Sequence, residues 1–340
     1  MRKNIIIVAI VSLVASYGLL LSCTQSDAGK SAQSDAGKTA PVKSELLSPI
    51  AFDSSAVPNT PFGKAVLYGR ELMINTAYYI GPTGVNGRYL RNYMSCSNCH
   101  QNGGIKPHSF SLVFSQDEYP QYRAREGKVL SLSDRVNNCI NRPMNGKSLP
   151  YDSKEMLAFL CYLKWINDQW EHDTRFKEKA AAPLQLTDTA ASPQRGAVLF
   201  EANCSRCHGG EGQGLLNSQG RRYVYPPLWG DSSYQSGSSM HRVIKMAGWL
   251  KTNMPYDRVT PNTPFLTDQQ ALDLAAFVND DRIHKRPVPK DGKDYPDVLT
   301  KPVDYGEGPY FDFFPQVQHK FGPYPPIIRY LKEKGLKPSY

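Results

Sequence analysis

Two runs of the sequence carry an unmistakable chemical pattern, Cys96-Ser97-Asn98-Cys99-His100 and Cys204-Ser205-Arg206-Cys207-His208. A Cys-x-x-Cys-His run is the attachment pattern of c-type haem. Two thiols one helical turn apart can form thioethers to the haem vinyls, and the next residue, His100 or His208, reaches the iron from the proximal side. Two copies about a hundred residues apart predict two covalently bound haem c groups, held by Cys96, Cys99, Cys204 and Cys207. What binds each iron on the opposite face then decides what each haem does.

For the second motif the sequence supplies Met254, 46 residues after His208 and shortly before an apolar helical stretch. Single-haem class I cytochromes c place their ligating methionine there, and Pro255 fixes the backbone beside it. Gly209, Gly212 and Gly214 let the chain pass close to the porphyrin, and Pro227 resembles the proline whose carbonyl receives the histidine N–H. Lys245 and Met246 are alternative ligands. A dinucleotide loop over the same glycines is excluded because no βαβ unit surrounds them. A His/Met haem has a raised potential and no open position, which predicts electron transfer.

For the first motif three sulfur side chains compete opposite His100. Cys161 falls mid-helix beside Leu160 and Leu163, where free cysteine serves as a small buried hydrophobe. Cys139 lies 39 and Met144 44 residues after His100, and this spacing does not separate them. A Cys139–Cys161 disulfide is the remaining alternative. Charge adds a hint: between Arg88 and Lys147 there are nine Lys or Arg against four Asp or Glu. Arg123, Arg125, Lys128, Arg135, Arg142 and Lys147 flank the candidate ligands, which suits an anionic substrate.

Arg125-Glu126-Gly127-Lys128, followed by Asp134-Arg135-Val136-Asn137-Asn138-Cys139 and Arg142-Pro143-Met144-Asn145-Gly146-Lys147-Ser148-Leu149-Pro150, resembles the thiosulfate dehydrogenases of the TsdA type. These are dihaem cytochromes c that also act as tetrathionate reductases. The resemblance spans roughly residues 60–285. It implies that Cys139 rather than Met144 ligates a catalytic haem, that Arg125 and Arg135 line the substrate pocket, and that Met254 serves the second haem. Pro143 stands where the family often has serine. The implied reaction joins two thiosulfates into tetrathionate and releases two electrons. Two such dianions at about 4 Å repel by roughly 16 kcal/mol at an effective dielectric near 20, and arginines gripping the sulfonate ends are the natural offset. The competing functions are a non-catalytic dihaem electron carrier, a SoxA-like thiosulfate-binding cytochrome, and a dihaem cytochrome c peroxidase.

The elements that must hold these residues follow from pattern. Residues 1–22 have a short basic start and an apolar run, an export signal. Leu20-Leu21-Ser22-Cys23 resembles a bacterial lipobox, which implies a lipid on Cys23; an uncleaved transmembrane anchor or an ordinary signal peptide are the alternatives. Residues 23–45 contain the tandem repeat QSDAGKSA/QSDAGKTA and read as a flexible tether. Residues 46–170 form the first haem domain, with a helix over Gly63–Ile80 burying Val66, Leu67, Leu72 and Met73. A second helix from Asp152 to about Gln169 buries Met156, Leu157, Phe159, Leu160, Leu163 and Ile166. Residues 171–193 are a linker.

Residues 194–285 repeat the plan with helices over Gln194–Ala202, Ser239–Thr252 and Thr267–Asn279, Ala276-Phe277 taking the part of Ala158-Phe159. Residues 286–340 are rich in Pro, Tyr and Phe and predict an ordered tail wrapping both units, with no chemistry of its own. The fold class is therefore mainly α: two class I cytochrome c-like haem domains with an N-terminal extension and a wrapping Pro/aromatic-rich C-terminal tail, and little strand. The formal charge of +9 is interspersed and accompanies no nucleic-acid module, so nucleic acid is not a partner. The expected partners are thiosulfate and tetrathionate, a membrane surface through the lipid, and a small soluble cytochrome c or membrane quinol system, all in an exported, periplasmic setting.

Overall fold

Thr60 opens the first helix by accepting the Gly63 N–H on its side chain at 3.2 Å, with Pro61 pre-set at the first helical position. The computed structural model describes residues 50–176, 181–259, 263–289 and 294–340. The expected export signal, lipobox at Cys23 and tether lie outside the described residues. Among those described, no helix is long and apolar enough to cross a membrane.

Helix α1 runs Pro61–Ile74 and α2 Thr76–Ile80, where the sequence pattern predicts one helix. The break has a use. Thr76 Oγ donates to Leu72 O at 2.6 Å and accepts the Cys96 N–H at 3.0 Å, so the turn at Asn75 delivers a hydroxyl to the first haem motif. Val66, Gly69, Leu72 and Met73 form the buried stripe of α1; Leu67, expected inside, sits off it and is 38% exposed.

Four-residue α3 (Ser115–Glu118) leads to a hairpin of β1 (Gln121–Arg123) and β2 (Lys128–Leu130), and then to α4 (Leu132–Asn141). Helix α5 (Lys154–Trp170) starts on Ser153, which accepts the Met156 N–H at 3.2 Å. It buries Met156, Ala158, Phe159, Tyr162, Leu163 and Ile166. Leu157, expected in that face, is 50% exposed, and Leu160 is only half-buried.

In the second unit α6 (Pro193–Asn203) runs into four-residue α7 (Ser205–His208), a short β3–β4 pair (Leu215–Leu216, Tyr223–Tyr225), α8 (Val243–Asn253) and α9 (Asp268–Val278). A reciprocal capping box between Thr267 and Gln270 starts α9. The two units cross their first and last helices by the same device. A Cβ on Gly69 would lie 2.0 Å from Ala158 O and 2.7 Å from Tyr162 Cβ; one on Gly196 would lie 2.0 Å from Asp273 O and 2.7 Å from Phe277 Cβ. Only glycine permits backbones this close. The match also corrects the expected alignment: Phe277 is the counterpart of Tyr162, not of Phe159.

The C-terminal tail, with α10 (Gln316–Phe321) and α11 (Pro325–Glu333), is packed rather than draped: Val303, Tyr324 and Ile327 are buried. It touches both units. Asp304 forms an ion pair with Arg242 and accepts the Ile244 N–H at 3.0 Å in the first turn of α8. On the other side, Pro296 Cγ lies 2.5 Å from where a Cβ on Gly127 would be. Residues 49–340 form one compact unit. Direct bonds join the two haem-motif halves, among them Gln235 Nε2 to Asn141 O at 2.6 Å and Arg222 Nη1 to Asn75 Oδ1 at 2.9 Å.

Candidate functional site

The first haem motif lies on a single 3-10 turn, Cys96–Asn98, closed by Ser95 N–H donating to Asn98 Oδ1 at 2.7 Å. His100 Nδ1–H donates to Phe110 O at 2.6 Å, which fixes the ring and leaves Nε2 as the atom that can serve a metal. Phe110 adopts φ 50°, a left-handed conformation rarely taken by a bulky residue, to bring that carbonyl to the ring.

Facing His100 is Cys139, its hydrogen-bonding neighbour. Helix α4 explains the placement, since Arg135 and Cys139 are four residues apart and share a face. Three cysteines thus share this pocket with very different acidities. Burial pushes Cys96 and Cys99 up to about 12. Burial pushes Cys139 the same way, yet Arg135 first, then His100 and Arg142, bring it down to about 7. Arg135 in turn is raised chiefly by the facing Cys139 sulfur and has no carboxylate partner among the described ion pairs. Met144, the rival ligand, is buried in the apolar core. Cys139 and Cys161 are both free thiols. Cys161 is half-buried and lines an open groove of about 440 Å³ with Leu160 and Lys164, so the fully buried role expected for it is not observed.

Arg125 sits in the β1–β2 turn. Its Nε donates to Asp294 at 2.9 Å, and its guanidinium stands 5.7 Å from the Tyr295 and Tyr305 ring centres. Its Nη2 is buried with no hydrogen-bond partner. Arg142, at the end of α4, bonds Glu126 at 2.6 Å and Asp294 at 2.7 Å. Glu126 also accepts from Asn138 Nδ2 at 3.1 Å. A buried arginine with an orphan donor is an incomplete anion site. Sequence reasoning found Arg125, Arg135 and Cys139 but missed Asp294 and Tyr305. Glu126 and Arg142 stood inside the motif run, whereas nothing around Asp294 marks it.

At the second motif His208 Nδ1–H donates to Pro226 O at 2.8 Å. The expected acceptor was Pro227; the carbonyl that points at the ring is one residue earlier, and Pro227 O instead accepts from Ser233 Oγ at 3.3 Å. Burial lowers the His208 pKa, keeping it neutral and able to ligate through Nε2. Met254 follows α8 directly, half-buried against the core. Met246 is fully buried, its sulfur accepting from Asn279 Nδ2 at 3.3 Å. Burial lowers the pKa of Lys245. Three bonds tie the helix before Met254 to the first motif and the loop after it: Trp249 Nε1 to Cys99 O at 3.1 Å, Thr252 Oγ1 to His108 O at 3.2 Å and Asn253 Nδ2 to His108 O at 2.9 Å.

The donor sets fit haem c at both motifs: paired thiols, a histidine held through Nδ1, and a sulfur ligand candidate in each half. Comparison with known proteins agrees. Residues 89–167 match the family described as SoxA/TsdA, cytochrome c domain, and residues 193–280 match Cytochrome c. The thiosulfate dehydrogenase of Thiomonas intermedia (strain K12) is 32% identical over 226 residues, covering 66% of this chain and 68% of that protein. The chain belongs to the TsdA-type thiosulfate dehydrogenase family. The thiosulfate dehydrogenase of Stutzerimonas stutzeri (strain A1501) is 31% identical over 231 residues, 68% of this chain and 70% of that one. That of Psychrobacter arcticus is 30% identical over 225 residues, and this chain spans 65% of its length. A solved thiosulfate dehydrogenase (TsdBA) from Marichromatium purpuratum shares the fold with a TM-score of 0.62 at 29% identity, covering 71% of this chain and 50% of that one. Two cytochrome c domains in a TsdA-type chain imply haem c binding.

Proposed function

We propose that this chain interconverts thiosulfate and tetrathionate, with one haem attached through Cys96 and Cys99 between His100 and Cys139. Cys204, Cys207, His208 and Met254 would hold a second haem, which would supply a relay for electrons. The observation that carries this reading is Cys139, one helical turn from Arg135 and facing His100, with the buried Arg125 nearby keeping an unpartnered nitrogen. Bound haem supplies one-electron redox capacity, so two haems match the two electrons that leave when two thiosulfates couple.

The chain's own residues do the rest. Arg135 stabilises the Cys139 thiolate, and the unpartnered Nη2 of Arg125 offers a charge-assisted bond to a sulfonate oxygen. Both arginines oppose the repulsion between two dianions. Cys139 sulfur bonds to the outer sulfur of one thiosulfate with release of two electrons, giving Cys–S–S–SO3⁻. The outer sulfur of a second thiosulfate then attacks the middle sulfur, expels the Cys139 thiolate and leaves tetrathionate. Reversal of the same steps reduces tetrathionate.

Electrons pass to or from a small soluble cytochrome c or a membrane quinol system. A lipid on Cys23 holds the protein at a membrane face in the periplasm. Paramagnetic resonance of the oxidised protein is expected to show one His/thiolate and one His/Met low-spin haem, with thiosulfate oxidation in steady-state assays. Mass spectrometry of substrate-treated protein is expected to show a thiosulfate adduct on Cys139. Two His/Met signals, or no turnover in either direction, would refute the assignment.

A further inference from the structure

The carboxylate of Asp294 comes from the C-terminal tail, beyond both haem domains, yet it is the hub of the arginine cluster. Its Oδ2 accepts from Arg125 Nε at 2.9 Å and from the Tyr305 hydroxyl at 2.9 Å, while its Oδ1 accepts from Arg142 Nη2 at 2.7 Å. All three charged side chains are nearly buried, at 11–18% exposure. The backbone joins in. Tyr295 N–H donates to Arg125 O at 2.8 Å, and Tyr295 takes φ 60° there. A tyrosine in the left-handed region is costly and persists only where its surroundings hold it. Gly127, two residues from Arg125, packs against Pro296. The turn that carries Arg125 is therefore gripped at backbone and side chain by residues 294–296.

This grip occupies one edge of the Arg125 guanidinium and leaves another. Arg125 spends Nε on Asp294 and keeps Nη2 buried and free; Arg142 divides its two terminal nitrogens between Glu126 and Asp294. An arginine clamped along one edge presents the remaining N–H groups in a fixed fork, which is the arrangement that recognises a planar or tripodal oxyanion with little ordering loss. Resting on the thiosulfate reading, we propose that Asp294 is a positioning residue for the substrate arginine Arg125. The C-terminal tail, through Asp294 and Tyr305, is then a working part of the thiosulfate site rather than a wrapping.

The test uses the full-length holoenzyme and the variants Asp294→Asn, Asp294→Glu and Tyr305→Phe. Turnover is measured alongside equilibrium thiosulfate binding, haem spectra and thermal unfolding. For Asp294→Asn the expected result is an approximately tenfold rise in both KM and the thiosulfate dissociation constant, with kcat within about twofold and the haem spectrum unchanged. Asp294→Glu is expected to recover part of the loss, and Tyr305→Phe, which removes one hydroxyl, to raise KM by about threefold. Unchanged KM in Asp294→Asn overturns the proposal, and so does a lowered KM, which would mean that Asp294 competes with substrate. If Asp294→Asn does not fold, Tyr305→Phe decides: a changed unfolding temperature with unchanged KM assigns the cluster a purely structural role. Wild-type protein that neither binds nor turns over thiosulfate would refute the function itself; variants indistinguishable from an active wild type would refute only the role of Asp294.

Discussion

Replacing Arg135 with glutamine removes one positive charge from the helical turn beside Cys139. Guanidinium and sulfur one turn apart are separated by about 6 Å, which at an effective dielectric near 20 is about 3 kcal/mol per unit charge. This corresponds to about two pH units of thiol acidity. It is a reasonable share of the gap between Cys139, brought down to about 7, and Cys96 and Cys99, pushed up to about 12. Burial acts alike on all three, and His100 and Arg142 supply the remainder. The same field favours an added electron at the haem that Cys139 faces, so its loss lowers that haem's potential by on the order of 100 mV. Spectroelectrochemical titration of Arg135→Gln reads this directly, with the haem of the second motif as an internal reference. Lys128→Gln makes the same change in net charge on the exposed strand β2, where solvent and salt screen it to about 20 mV or less. A first-haem potential in Arg135→Gln that stays within about 20 mV of wild type, or rises, would refute the reasoning.

Two further outcomes concern the scaffold. Burial, opposed by Asp281, lowers His241 to about 4, so as pH falls below about 6.5 the unfolded chain takes up a proton that the native chain refuses. Stability is therefore expected to drop by up to about 3 kcal/mol between pH 6.5 and 4 and more steeply than in His241→Gln; equal slopes in denaturant titrations would contradict this. Gly69→Ala and Gly196→Ala each force a Cβ to within 2.0 Å of a carbonyl oxygen. Each is expected to cost roughly 3 kcal/mol, and a variant melting within about 2 °C of wild type would show that the crossing relaxes freely.

Much of this organisation is legible in the sequence because haem attachment is local. Five consecutive residues fix both thiols and the proximal histidine, and α4 places Arg135 and Cys139 on one face by helical spacing alone. Amphipathic pattern located the long helices within a few residues. It failed where a side chain has work outside the helix. Thr76 breaks the predicted 63–80 helix because its hydroxyl serves Cys96, a partner twenty residues away that no periodicity reveals. Leu67 and Leu157 were assigned inward on hydrophobicity, whereas the close crossing at Gly69 and Ala158 turns both outward and buries Leu72, Phe159 and Tyr162 instead.

Asp294 shows a different limit. One of three aspartates among lysines, glycine and proline carries no signal, because its role arises only when the tail folds back across some 170 residues onto Arg125. The two halves of the molecule start from one plan, with an entering helix, a haem motif and a closing helix locked through glycine. What separates them is what surrounds the far ligand candidate. Met254 follows α8, whose last turns are bonded to the neighbouring loop. Cys139 stands on a helix face shared with Arg135, beside Arg125 and Arg142, which a carboxylate from outside the repeat holds. A duplicated electron carrier needs only the shared plan; chemistry on an anion needs charge that is buried, oriented and left partly unsatisfied. In the first half Arg125 meets that requirement, and it does so by recruiting the tail.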